Sequence, residues 1–233
     1  HVDTFDPHEP WDPPRWYVDL YDPGYQGEEV TYPLYGRCDY LTQAELTHIR
    51  ALYAGEVTMV DHWVGFLLKR LRDLRLWDET ATIFTTDHGF YHGEHGLVGK
   101  SIITSRVPEV HGLAPLYDEV VHIPLMIRVP GTEPNCCEAF VQPPDLMPTI
   151  LDLSEARIPE TVQGRSLVPL AKGEKPAWRG FAISSPSIIH GPVAGQRISV
   201  ITEEWFLIYC GLIDEALRGL PAQRKTRIVD GFE

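Results

Sequence analysis

At 233 residues with 43% hydrophobic content, the chain is long enough to bury a core and too apolar to be disordered. Twenty basic residues against 33 acidic ones leave a formal charge of −13, which argues against nucleic acid or an anionic membrane as the main partner. No apolar run approaches the roughly 18 residues of a membrane-spanning helix, so the chain is expected to be soluble. It opens at His1 with no readable signal peptide, and four cysteines without metal or disulfide spacing read as reduced thiols, which favours the cytoplasm.

Residues 1–41 are rich in Pro, Asp and Tyr without periodicity and read as an ordered, irregular region. Thr42 and Glu45 then form a capping box ahead of Leu46, Ile49, Tyr53, Val57, Val60, Val64, Leu67, Leu71 and Leu74. Those three- and four-residue steps predict a helix over 43–76 whose apolar stripe packs on a sheet. Asp61 interrupts the stripe beside His62, and a surface role suits it better than a site. Thr82-Ile83-Phe84 reads as a short buried strand, and Pro124 to Pro130 as a second. Asp145 to Leu153 reads as a short helix capped by Asp145. A helix feeding a strand predicts an α/β fold with a doubly wound, mostly parallel sheet. Toward the C-terminus, Arg197–Ile201 and Trp205–Tyr209 suggest an antiparallel hairpin, and Asp214–Leu220 a short helix. The expected division is 1–177 and a small subdomain over 178–233.

Chemistry concentrates in residues 85–100, where Asp87, His88, His92, His95 and Lys100 are punctuated by Gly89, Gly93, Gly96 and Gly99. Asp87 follows the strand at 82–84, at the carboxyl end where open α/β sheets place ligands, so Asp87 and His88 are metal-ligand candidates. The glycines permit positive φ and let the loop fold back, bringing the Lys100 cation toward the strand end.

The stretch Asp87-His88-Gly89, Gly93-Glu94-His95-Gly96 and Lys100 resembles the second signature of the sulfatase family, within the alkaline phosphatase superfamily. Asp6-Pro7-His8-Glu9-Pro10 resembles the family's Asp-Pro-His-x-Pro segment. Ile123-Pro124-Leu125, Asp145 to Thr149 and Gln163-Gly164-Arg165-Ser166-Leu167 extend the likeness, so that it spans most of residues 3–210. The resemblance implies part of an alkaline-phosphatase-like sheet with a small antiparallel C-terminal subdomain. It also implies a divalent metal, calcium or manganese, held partly by Asp87 and His88. Lys100 would contact sulfate or phosphoryl oxygens, and His8 would contact the substrate and serve the leaving oxygen. His92 and His95 match no family ligand and are candidates for supporting or loop-packing roles. Arg165 is expected to anchor a loop, while His111 and His122 lie close enough in sequence to approach the site. Trp11, Trp16 and Tyr91 are candidates for lining a specificity pocket.

The family's nucleophile segment, Cys-x-Pro-x-Arg with a formylglycine-forming Cys, is the main departure. Cys137-Glu138-Ala139 imitates its Cys-x-Ala variant, but Val141 stands where Arg is needed. The chain therefore looks like the C-terminal portion of a longer enzyme and is expected to lack its nucleophile, which the resemblance puts in a formylglycine upstream. The expected activity is metal-dependent hydrolysis of a small sulfuric ester. A phosphonate monoester or phosphodiester hydrolase and a non-catalytic binding domain are the alternatives. An uncovered apolar face or sheet edge would favour a homo-oligomer.

Overall fold

The computed structural model describes residues 1–106, 109–112, 114–185, 197–210 and 226–230. In chain order these carry α1 (Arg15–Val18), β1 (Gly36–Arg37), α2 (Gln43–Asp73), β2 (Thr82–Thr85), β3 (Tyr91–His92), β4 (Leu97–Gly99), β5 (Ile102–Arg106) and β6 (Glu109–Gly112). There follow α3 (Asp118–Val121), β7 (Leu125–Arg128), α4 (Leu146–Leu153), α5 (Val168–Ala171), β8 (Phe181–Ser184), β9 (Arg197–Thr202), β10 (Phe206–Cys210) and β11 (Thr226–Asp230). Two compact units divide them: His1–Trp77 with Phe90–Ala114, and Asp78–Gly89 with Pro115–Glu233.

The first unit is organised by α2. Its start follows from the capping box: Thr42 Oγ1 accepts from the Glu45 amide and Glu45 Oε2 accepts from the Thr42 amide, which satisfies two groups that the helix end leaves orphaned. Its end comes three residues before the expected 76. Arg75 turns left-handed at φ 58°, Arg75 N donates to Arg72 O, and Leu76 N donates to Leu71 O. This is a Schellman termination with arginine in the place glycine usually fills, so no glycine marks the end in the sequence.

The expected packing of α2 along its whole length does not hold. Ile49, Ala51 and Leu52 join Trp11, Val18 and Phe90 in a buried cluster, flanked by Val30, Leu41 and Tyr53. Past Val57 the helix is only partly covered: Val60, Val64, Leu68 and Leu71 are half-buried, while Trp63 and Phe66 are each 60% exposed and Leu67 is exposed beside them. The stripe is present in the sequence, but the fully buried residues of the helix all lie in its first half. The same unit holds a three-stranded antiparallel sheet, β1-β4-β3, and the antiparallel pair β5-β6.

In the second unit, β2 and β7 pair antiparallel, Thr82 opposite Arg128 and Thr85 opposite Leu125. The mostly parallel sheet expected from the helix-then-strand order is therefore corrected. Parallel neighbours need a crossover that returns the chain to its starting end, usually on one helix, whereas β3 to β6 and α3 intervene here and β7 enters from the opposite end. The C-terminal hairpin forms as expected, with Phe206 opposite Ile201 and Cys210 opposite Arg197. Strand β8 joins β9 antiparallel and β11 joins β10 parallel, giving a four-stranded sheet. The α/β class with a small C-terminal sheet thus stands, and the helix expected at 214–220 lies outside the described residues.

Asp145 stands at the N-cap position of α4, as expected, but its side chain makes no cap bond to that helix. The carboxylate is fully buried and turns away to accept from the Gln142 and Arg165 amides and from both terminal nitrogens of Arg179. Arg165 does anchor this loop, through its backbone. Cys38, Cys136 and Cys137 are free thiols.

Candidate active site

The loop that carries His8 is fixed from below. Trp11 is wholly buried, its indole Nε1 donates to Pro7 O at 3.2 Å, and its amide donates to Thr31 O at 2.8 Å. One residue on, the Asp12 amide donates to Glu56 Oε1 at 3.1 Å, tying the loop to the middle of α2. Glu56 is buried, and loss of hydration pushes its carboxyl from 4.5 up to about 7; Asp6 and Asp12 repulsion adds to the rise, and the Asp12 amide opposes it. The folded chain therefore holds a proton on Glu56 between about pH 4.5 and 7 that the unfolded chain releases. Stability from this group is full below pH 4.5 and lost as pH rises through 7. Relative to E56Q, the unsubstituted chain should lose about 3 kcal/mol between pH 4.5 and 8, measurable by urea denaturation at each pH.

Strands β3 and β4 form a hairpin, Tyr91 opposite Gly99 and His92 opposite Val98, so the chain returns Lys100 to the neighbourhood of Phe90. Gly99 makes the return possible: its φ is +89°, and a Cβ there would lie 2.2 Å from the Tyr35 ring. Lys100 Nζ then sits 2.5 Å from His8 Nε2, 3.5 Å from Glu9 Oε1 and 5.0 Å from the Phe90 ring centroid. The other imidazole nitrogen, His8 Nδ1, faces Glu9 O at 2.7 Å and lies 3.5 Å from Glu9 Oε2. A carbonyl can only accept, so Nδ1 carries the proton and Nε2 presents its lone pair to the lysine ammonium.

In the second unit, Asp87 follows β2 and is 82% exposed at its side chain. Its Oδ1 accepts from the His88 amide at 2.9 Å. His88 Nδ1 donates to Gly89 O at 2.9 Å, which makes Nε2 the lone-pair nitrogen, and that atom lies 3.5 Å from Asp87 Oδ2. An oxygen and a nitrogen donor side by side, with the second imidazole nitrogen engaged by a backbone carbonyl, is the donor set a divalent cation takes from one segment. No group of three or more such side chains gathers among the described residues. Of the two expectations for Gly89, freedom from bulk and positive φ, the first holds: a Cβ would lie 2.1 Å from Glu119 O, and its amide donates to Val120 O at 2.9 Å. G89A should cost about 1–3 kcal/mol of stability in a urea titration by displacing the segment after Asp87 and His88 from α3.

The structure thus brings His8 and Lys100 together in one unit, and Asp87 and His88 in the other. His92 is buried against the Trp11 and Tyr53 rings, and burial brings its pKa down to about 4, leaving it neutral. His95 is buried at φ 56°, edge-on to Tyr91. Trp11 and Tyr91 are buried in the core, whereas Trp16 is exposed. Asp61, His62 and His122 are exposed, and His111 lies outside the residues whose side chains are described. Sequence reasoning missed two buried carboxylates, Glu9 and Glu56. Glu56 left a signal, an acid set between Leu52 and Val57 on a helix otherwise apolar there; Glu9 left none.

A family model described as Sulfatase matches residues 1–156. An arylsulfatase of Clostridium perfringens is 27% identical over 197 residues, covering 75% of this chain and 37% of its own length. A multifunctional alkaline phosphatase superfamily protein, PehA, of Trinickia caryophylli is 34% identical over 143 residues, covering 60% of this chain and 25% of its own length. Among solved structures, a phosphonate monoester hydrolase from Silicibacter pomeroyi matches with a TM-score of 0.61 and 32% identity, over 72% of this chain and 33% of that one. The chain thus spans between a quarter and two-fifths of the length of these relatives.

Proposed function

Because the chain belongs to the sulfatase family of the alkaline phosphatase superfamily, whose members hydrolyse esters, we propose that it supplies the anion contacts and part of the metal site for hydrolysis of a small sulfuric ester. The observation that carries this reading is the contact between Lys100 Nζ and His8 Nε2, which joins two segments 92 residues apart in sequence.

Lys100 offers a compact charge with three donors: one engages His8, one faces the Glu9 carboxylate, and the third can meet a non-bridging oxygen of a sulfate group. His8 is oriented by the carbonyl at Nδ1, so any proton it handles moves at Nε2, the atom that would serve the departing ester oxygen. Asp87 and His88 fit a divalent cation by their donor types and by the carbonyl that holds the imidazole. Calcium or manganese held there would act as a Lewis acid on the ester's charged oxygens. The nucleophile is assigned to no residue of this chain.

A phosphonate monoester is the second reading, favoured by the Silicibacter pomeroyi neighbour; its tetrahedral anion would use the same contacts. The test is hydrolysis of 4-nitrophenyl sulfate against 4-nitrophenyl phenylphosphonate by the complete polypeptide from the source organism, with calcium or manganese supplied. Faster turnover of the sulfate is expected. Preference for the phosphonate selects the second reading, and inertness toward both would favour a non-catalytic binding domain.

A further inference from the structure

Glu9 stands beneath His8 and Lys100 with its side chain only 1% exposed, yet it is a carboxylate. Its Oε1 lies 3.5 Å from Lys100 Nζ, and its Oε2, 3.5 Å from His8 Nδ1, accepts no hydrogen bond among the described residues. Burying an anion so sparsely bonded is costly, and an apolar side chain would fill the same space at lower cost. The charge is therefore not explained by packing. What it has within reach among the described residues is the Lys100 cation, itself largely withdrawn from water.

We propose that Glu9 is a positioning residue: its carboxylate holds the Lys100 ammonium against His8 Nε2, while its carbonyl holds the opposite imidazole nitrogen. One residue thus grips both members of the pair through two different groups. The inference deepens the sulfate reading, since the positioned pair is the one assigned to the substrate anion. Without the carboxylate, the lysine's four-carbon stem is free to carry the charge out to solvent, where its hydration is stronger.

Because every substitution at position 9 keeps the main-chain carbonyl, the two grips separate experimentally. The 233-residue chain, labelled with 15N, reports the His8 tautomer through its ring nitrogens and the Lys100 position through its ammonium signal and the nuclear Overhauser contact between lysine side chain and imidazole. In the unchanged chain, His8 should show a protonated Nδ1, and Lys100 a resolved ammonium signal with that contact. In E9Q the tautomer should persist while the lysine signal and the contact are lost, a split that a merely structural role would not produce. Persistence of both lysine signatures in E9Q overturns the proposal. Should E9Q disturb the loop so that the tautomer is lost too, E9D decides: its carboxylate is drawn back by one methylene, so loss of the contact with the tautomer kept supports the proposal, and an intact contact overturns it. Sodium sulfate added to the unchanged chain should shift the Lys100 signal. Failure of that shift would count against the sulfate reading and leave the Glu9 result standing.

Discussion

Replacing Arg179 with Met should destabilise the chain by about 3–5 kcal/mol, the cost of leaving a buried charge without its partner. Asp145 is fully buried, and its Oδ1 receives Arg179 Nη2 at 2.7 Å while Oδ2 receives Nη1. Burial alone would raise this carboxyl's pKa, but the guanidinium and the Arg165 and Gln142 amides together outweigh it, so the folded value lies below the usual carboxylate range. The stability this confers is present above the unfolded carboxyl's pKa and is lost as pH falls through the lower, folded one. Urea midpoints taken from neutral to acid pH should therefore fall steeply for the unchanged chain, and start low with a flatter slope for R179M. The pair also spans 34 residues of sequence, so its loss loosens the tie between the region around Trp178 and the start of α4. Replacing both partners, D145N with R179M, should restore much of the lost stability, because no uncompensated charge then remains buried.

Lys100→Ala should lower kcat/KM for 4-nitrophenyl sulfate by about 10²–10³-fold in the complete polypeptide, the loss typical of removing one donor to developing negative charge. The substitution also leaves the buried Glu9 carboxylate without its cation, so a loss of stability should accompany the loss of rate. Lys100→Arg should not restore activity. A planar guanidinium cannot place a single point charge 2.5 Å from His8 Nε2 and 5.0 Å from the Phe90 centroid without moving one of them. Rates compared under conditions where urea curves show each variant still fully folded would separate this effect from misfolding.

The parts of the fold that depend on neighbours in sequence were legible. The capping box at Thr42 needs only Glu45, three residues away, and the β9–β10 hairpin needs only alternation and a short turn. The residues of the two candidate pairs were legible because each sits in a dense local motif, though the motif says nothing of which atom meets which. The illegible features all rest on distant partners or on connection geometry. Asp145 looks like a cap from sequence because its neighbours begin a helix; Arg179 recruits it instead, and nothing near Asp145 announces this. The direction of β7 against β2 is invisible in alternation, since a strand pairs either way with the same pattern. Asp61 drew attention as an acid in an apolar stripe, yet the buried acid on α2 is Glu56, because burial is set by the loop bearing Asp12 and not by the helix alone.

Helix α2 runs unbroken from Gln43 to Asp73, but only its first half has Ile49, Ala51 and Leu52 packed beneath it. Its amide protons should consequently keep two clocks. Between about Ile49 and Glu56, deuterium can enter only when the surrounding cluster opens, whereas beyond Val60 each turn can fray and re-form without disturbing anything else. A single helix would then show a gradient of exchange rates along its axis.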